Sequence, residues 1–133
     1  MKYLLDTHSF IWTITDVKKL SKNARQIIED SNNEVGVSVV TFWEISIKKS
    51  IGKISFGKFM PEDFVSMANR SQFTIIGLAA TVAATAYRLP WRKDHNDPFD
   101  RMLVWKAIQN DFHLVSKDSD FSLYKDLGLK LIW

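Results

Sequence analysis

A chain of 133 residues can bury a hydrophobic core without covalent staples, and its 46% hydrophobic and 25% charged residues are those of an ordinary globular protein. It has no cysteine, which excludes disulfides, thiolate-held zinc, iron–sulfur clusters and thiol nucleophiles together and is compatible with a reducing cytoplasm. The formal charge of +3 identifies no partner by itself.

Taken in chain order, Lys2–Leu5 is a short apolar run that predicts a strand. Asp6, Thr7 and His8 interrupt it too early for a secretory signal. Phe10, Ile11 and Ile14 suggest a short helix. Leu20, Ala24, Ile27 and Ile28 carry helical spacing behind the capping residue Ser21. Residues 35–40 are rich in β-branched side chains and predict a strand, followed by a helix over 42–50 with Thr41 as its N-cap. Gly52 and Gly57 bracket a loop. Pro61, Glu62 and Asp63 read as a first helical turn, with acids at its positive end.

Residues 73–77 predict a strand and 79–88 an Ala-rich helix that stops before Pro90. The most apolar stretch, 73–86, is interrupted by Thr74, Thr81 and Thr85 and is shorter than the roughly 20 residues of a membrane span. Residues 98–110 have helical period, 113–116 look like a buried strand, 121–127 like a short helix stopped by Gly128, and 129–133 like a last strand. No repeat or linker breaks the chain, so residues 1–133 read as a single domain, cytoplasmic and without a membrane segment. Apolar, non-alternating strands between helices predict an α/β fold, a three-layer sandwich around a parallel sheet.

Open parallel sheets bind ligands beyond the carboxyl ends of their strands. Four acids fall at or near such ends: Asp6 after the first strand, Glu44 one turn into the helix after the second, Asp100 in the first turn of the helix before the fourth, and Asp118 just after the fourth. Carboxylates gathered in one pocket repel one another unless a cation compensates, and an all-oxygen site selects a hard ion such as Mg²⁺. A metal that activates water and offsets charge on phosphorus makes phosphodiester hydrolysis the reaction best served. Without those four acids, the remaining chain, with 18 Lys and Arg, is distinctly basic, which suits a polyanionic substrate.

Each acid also has a structural explanation. Asp6 could cap the turn that follows, and Glu44 could pair with Lys48 at i+4. Asp97 fits an N-cap with Pro98 at N1 and Asp100 at N3. Asp97 is thereby explained by the helix, whereas Asp100 points more readily toward a pocket. Asp118 adjoins the strand end, while Asp120 could cap the helix after it or support the site through water. Thr7 and Ser116 are placed to orient carboxylates or metal waters.

These stretches, LLDTH at 4–8, VSVVTFWEISIKKSIGK at 37–53, HNDPFDRML at 95–103 and LVSKDSDF at 114–121, resemble a PIN domain, and more narrowly the VapC-type toxins of bacterial toxin–antitoxin pairs. The resemblance spans nearly the whole chain in the right order. It implies a five-stranded parallel sheet of order 3-2-1-4-5 and a Mg²⁺- or Mn²⁺-dependent endoribonuclease acting on structured RNA. It places the acidic quartet on Asp6, Glu44, Asp100 and Asp118, and implies a homodimer with a cognate antitoxin that blocks the acidic pocket. Two features depart from the family pattern: Ser116-Lys117-Asp118 stands where T-x-D is common, and Val104-Trp105-Lys106 where small residues are common.

Lys48 and Lys49 follow Glu44, and Arg92 and Lys93 precede the HNDPFD segment, so both pairs flank the pocket in sequence and suit RNA backbone. Arg101 could contact phosphate or pair with Asp97. Trp91 suits base stacking. His8, His95 and His113 have no metal-ligand spacing and receive no role. The alternative function is a PIN-like module that binds RNA or protein without cutting it.

Overall fold

The computed structural model describes residues 1–92 and 94–133; Lys93, one of the basic residues expected near RNA, lies outside the described residues. The elements are β1 (Lys2–Leu5), α1 (Thr7–Thr15), α2 (Lys22–Glu29), β2 (Glu34–Ser38), α3 (Val39–Ser50), α4 (Pro61–Arg70), β3 (Thr74–Ile76), α5 (Ala80–Thr85), α6 (Pro98–Asn110), β4 (His113–Val115) and β5 (Lys130–Ile132), with 3₁₀ segments at Val17–Lys19, Ala86–Arg88 and Ser119–Leu127. All strand pairs are parallel and the order is β3-β2-β1-β4-β5, so the expected sheet is present.

β1 lies in the middle, with Leu5 paired to Val37 on one side and Val115 on the other. A central strand is buried on both faces, which is why Tyr3, Leu4 and Leu5 are apolar in succession. Their side chains alternate. Tyr3 and Leu5 join Phe10, Ile11, Ala24 and Phe64 from α1, α2 and α4 in one core. Leu4 joins Leu103, Val104 and Ala107 of α6 and Tyr124 of the last 3₁₀ segment in the other. Two cores on opposite faces make the three layers. Val104 and Trp105 are buried there, with Trp105 Nε1 donating to Thr85 Oγ1 at 3.2 Å. Among the described residues no helix is long and apolar enough to cross a membrane.

Three local expectations change. The strand expected over 35–40 ends at Ser38, whose hydroxyl accepts from Val40 N at 3.1 Å and starts α3 there, so Thr41 is inside the helix rather than its cap. β-branched Val39 and Val40 favour strand locally, but Val40 is buried against the second core when helical. The helix expected over 79–88 tightens to 3₁₀ after Thr85. The helix expected from Phe121 is a 3₁₀ segment starting at Ser119 and ending at Gly128, whose φ of 98° suits glycine. Gly36 is required for a different reason: a Cβ there would stand 2.7 Å from Ile76 Cγ1, so its absence lets β3 close over β2.

Candidate active site

Asp6 leaves the end of β1 and caps α1, as one of its two expected roles requires, and it also lines a hollow at this edge of the sheet. One carboxylate oxygen accepts from Ser9 N at 2.8 Å and the other from Ser116 Oγ at 2.6 Å. The residue is buried, and that burial holds its carboxyl above the usual range although the hydrogen bonds from Ser116 and Ser9 act in the opposite direction. Ser116, at the end of β4, also accepts from Asp118 N at 3.0 Å. One hydroxyl therefore ties the ends of β1 and β4 together.

Glu44 projects from α3 and is 2% exposed. Thr7 Oγ1 donates to its Oε1 at 2.7 Å, and Lys48 Nζ, one turn later, donates to Oε2. The Glu44–Lys48 pair foreseen as a structural alternative is thus formed. Because the proton of Thr7 goes to Glu44, the 3.2 Å contact between the hydroxyls of Thr7 and Thr41 has Thr41 as donor. Thr41 is a supporting residue that sequence reading placed only as a cap.

Asp100 occupies the first turn of α6, whose N-cap Asp97 accepts from Phe99 N and Asp100 N, both at 2.9 Å. Asp97 therefore fills the structural place expected of it. The carboxyl of Asp100 is pushed up to about 7, first by burial and then by the negative charges of Asp97, Glu44, Asp6 and Asp118. The field of the other three quartet acids thus converges on Asp100. Asp118 is exposed and caps the last 3₁₀ segment, accepting from Asp120 N at 2.9 Å. Asp120 is consequently not the cap, and its own side chain is exposed. A hollow of about 280 Å³ is walled by Asp6, Asp118, His8, Trp12 and Lys117.

The basic residues divide differently. Lys48 is engaged by Glu44, Lys49 is half-buried, and Arg92 pairs with Asp126 at 3.1 Å. Arg101 is not an exposed cation: it is 8% exposed, donates to the carbonyls of Leu89 and Pro90 at 2.7 and 3.1 Å, and its guanidinium lies 3.7 Å from the centre of the Trp91 ring. Its Nη1 and Nη2 are thus tied to backbone carbonyls, and among the described residues it forms no ion pair with Asp97. Trp91 itself is 69% exposed, with Arg101 covering one ring face. His95, given no role from sequence, is buried beside Asp100 and bonded to Tyr124; a lone loop histidine and a tyrosine far along the chain offer no periodic signal that would pair them.

The donors of the quartet are all carboxylate oxygens, the chemistry preferred by a hard divalent cation. Burial and the crowding of charge together hold Asp100 at about 7, and the crowding is the part such a cation would relieve. Among the described residues, however, no three acids or histidines stand close enough to hold an ion as they are, and Lys48 already neutralises Glu44. The donor chemistry fits, while the arrangement is that of a site whose counterion is partly supplied by the chain.

The chain matches the PIN domain model over residues 3–127. It is 30% identical over 130 residues to Ribonuclease VapC22 of Mycobacterium tuberculosis (strain ATCC 25618 / H37Rv), covering 98% of this chain and 97% of that protein. In structure it resembles VapBC2 of Rickettsia felis bound to a promoter DNA fragment, with 18% identity, a TM-score of 0.69 and coverage of 99% and 98% of the two chains. It also resembles VapBC-1 of nontypeable Haemophilus influenzae, with 16% identity, a TM-score of 0.65 and coverage of 99% and 97%. A toxin–antitoxin complex of Klebsiella pneumoniae gives 18% identity, a TM-score of 0.59 and coverage of 98% and 96%. At such identities these structures speak for the fold, and they agree with the sheet order and with the match along the sequence. The chain belongs to the PIN domain family.

Proposed function

We propose that this protein is a divalent-metal-dependent endoribonuclease, the toxin of a toxin–antitoxin pair, working as one domain in the cytoplasm. The observation that carries the reading is the convergence of charge on Asp100, whose carboxyl is held at about 7 by burial and by Asp97, Glu44, Asp6 and Asp118 together. Crowded carboxylates are an energetic burden on a fold unless they serve a cation-dependent reaction. The similarity to Ribonuclease VapC22 over almost the full length of both chains supports RNA as substrate.

Asp6, Glu44, Asp100 and Asp118 would hold Mg²⁺ or Mn²⁺. When bound, such an ion supplies a more acidic water and compensates charge on the phosphate under attack. The chain's own contribution is orientation. Ser116 and Ser9 fix Asp6, Thr7 fixes Glu44, and the cap made by Asp97 fixes the first turn that carries Asp100. Lys49 and Arg92 stand near enough in sequence to guide RNA backbone, Arg92 after leaving Asp126. A cognate antitoxin and a second copy of the chain are the partners the reading implies, supported by the VapBC and toxin–antitoxin complexes with which the fold is shared.

A second reading, a module that binds RNA or protein without cutting it, draws on the Glu44–Lys48 pair and the absence of a preassembled ion cage among the described residues. Purified protein free of antitoxin, incubated with tRNA and ribosomal RNA in Mg²⁺, Mn²⁺ or EDTA beside Asp6→Asn, separates the two. Discrete cleavage that requires metal and disappears in the variant is the expected result. RNA left intact by folded protein that binds Mn²⁺ would favour the binding module.

A further inference from the structure

Beside Asp100 a buried nitrogen faces the carboxylate with no hydrogen-bond partner. His95 is 8% exposed, and its ring is held by contacts with Phe121 and Tyr124 at centroid distances of 5.4 and 5.3 Å. Its Nδ1 lies 2.8 Å from Tyr124 Oη, while its Nε2 is buried, unsatisfied and 3.8 Å from Asp100 Oδ2.

The proton positions follow from who can donate. Arg101 Nη1 donates to Tyr124 Oη at 3.3 Å, and a guanidinium can only donate. The phenol proton then has one acceptor among its described hydrogen-bond partners, His95 Nδ1. With Nδ1 as acceptor, a neutral ring carries its proton on Nε2, pointing at Asp100. The opposite tautomer would bury the phenol proton without an acceptor and turn a lone pair of Nε2 toward a carboxylate, and each loss is costly in a buried place. Buried Arg101 thereby acquires a purpose beyond tying down the loop at Leu89 and Pro90.

We propose that His95 is a positioning residue of the nuclease site: Arg101 and Tyr124 hold it as the Nε2–H tautomer, and that N–H fixes the direction in which the Asp100 carboxylate points. This rests on the reading of Asp100 as a cation ligand. The 3.8 Å separation is about 1 Å longer than a hydrogen bond, so the proposal requires the Asp100 carboxylate to move toward the ring by that much.

Imidazole ¹⁵N NMR of the metal-free full chain, at a pH where the ring is neutral, reads the tautomer directly. The expected spectrum has the His95 proton on Nε2, and Tyr124→Phe relaxes it to a mixture. A proton on Nδ1 in the wild type overturns the proposal. Calorimetric titration with Mn²⁺ then reads the effect on Asp100: affinity falls about 10–100-fold in His95→Phe and recovers substantially in His95→Gln, whose amide N–H restores a donor. Equal affinity in wild type and folded His95→Phe overturns it as well. Should His95→Phe not fold, Tyr124→Phe replaces it, with a smaller loss expected and unchanged affinity counting against the proposal. A wild type that binds no Mn²⁺ defeats the nuclease reading instead, and the tautomer spectrum alone then decides the place of His95.

Discussion

The acidic site has two halves of unlike construction. Asp6, at the end of β1, and Glu44, in the α3 helix that follows β2, are buried, and each carboxylate has both oxygens engaged, by Ser9 and Ser116 in one case and by Thr7 and Lys48 in the other. Asp100 and Asp118 come from the starts of helical segments and are more open. Asp118 is used as a cap, and Asp100 takes its raised proton affinity first from burial and then from its neighbours' charge. The first half is rigid because burying an unengaged carboxylate would be prohibitive. The second half keeps the freedom to adjust to what arrives. Engaged and open carboxylates thus sit side by side at one edge of the sheet.

The strongest way to break the comparison is to neutralise one acid in each half. Asp6→Asn and Asp100→Asn are both expected to reduce RNA cleavage at least about 10³-fold, several kcal/mol of barrier, in a single-turnover assay with Mn²⁺. The Asp6 variant should nevertheless remain folded, since an amide keeps an acceptor for Ser9 N or Ser116 and removes a charge that burial disfavours. Residual cleavage within tenfold of wild type in either variant would deny that half its part in the reaction.

A second test concerns pH. The folded carboxyl of Asp100 titrates near 7 against an ordinary value of 3.8, so between those values the folded state binds more protons than the unfolded one. Stability of the metal-free protein therefore falls as pH rises from about 4 to 7, by on the order of 2–4 kcal/mol from this residue. Denaturant unfolding across that range should be flatter for Asp100→Asn, and the variant more stable at pH 8. A wild-type curve that rises through the window just as the variant's does would contradict the crowding of charge on Asp100.

Ser116→Ala sharpens the contrast at a smaller scale. Its hydroxyl serves Asp6 Oδ2 and Asp118 N together, so its loss should lower stability by about 1–3 kcal/mol in urea unfolding. Lys49→Ala should have the least effect: no change in stability, and RNA affinity weakened evenly, with the salt slope reduced by about 1. An unchanged slope would remove Lys49 from the RNA path.

The sheet, the helices and the places of the four acids along them were legible because strand ends are marked by local chemistry: Asp6 at the end of the first apolar run, Ser116 and Asp118 after a buried triplet, Asp97 and Pro98 at a helix start. What escaped depended on contacts distant in sequence. Val39 and Val40 have strand propensity, yet the Ser38 cap and the burial of Val40 against the second core make α3 begin there. Arg101, open in sequence to phosphate or to Asp97, is instead bound to the carbonyls of Leu89 and Pro90, which lie about a dozen residues upstream. The pairing of His95 with Tyr124 joins residues from two separate segments around α6 and β4, and neither local propensity nor spacing announces it.

The ammonium of Lys48 also makes Glu44 a different kind of ligand from an open carboxylate. It is a tethered counterion, present at fixed concentration and never diffusing away. A cation that reaches Glu44 therefore enters by exchange, and its affinity measures a preference between two cations rather than the attraction of one to an empty place. Under the proposed function, occupancy at this edge would be set by that exchange, as in an ion exchanger with its own resident ion.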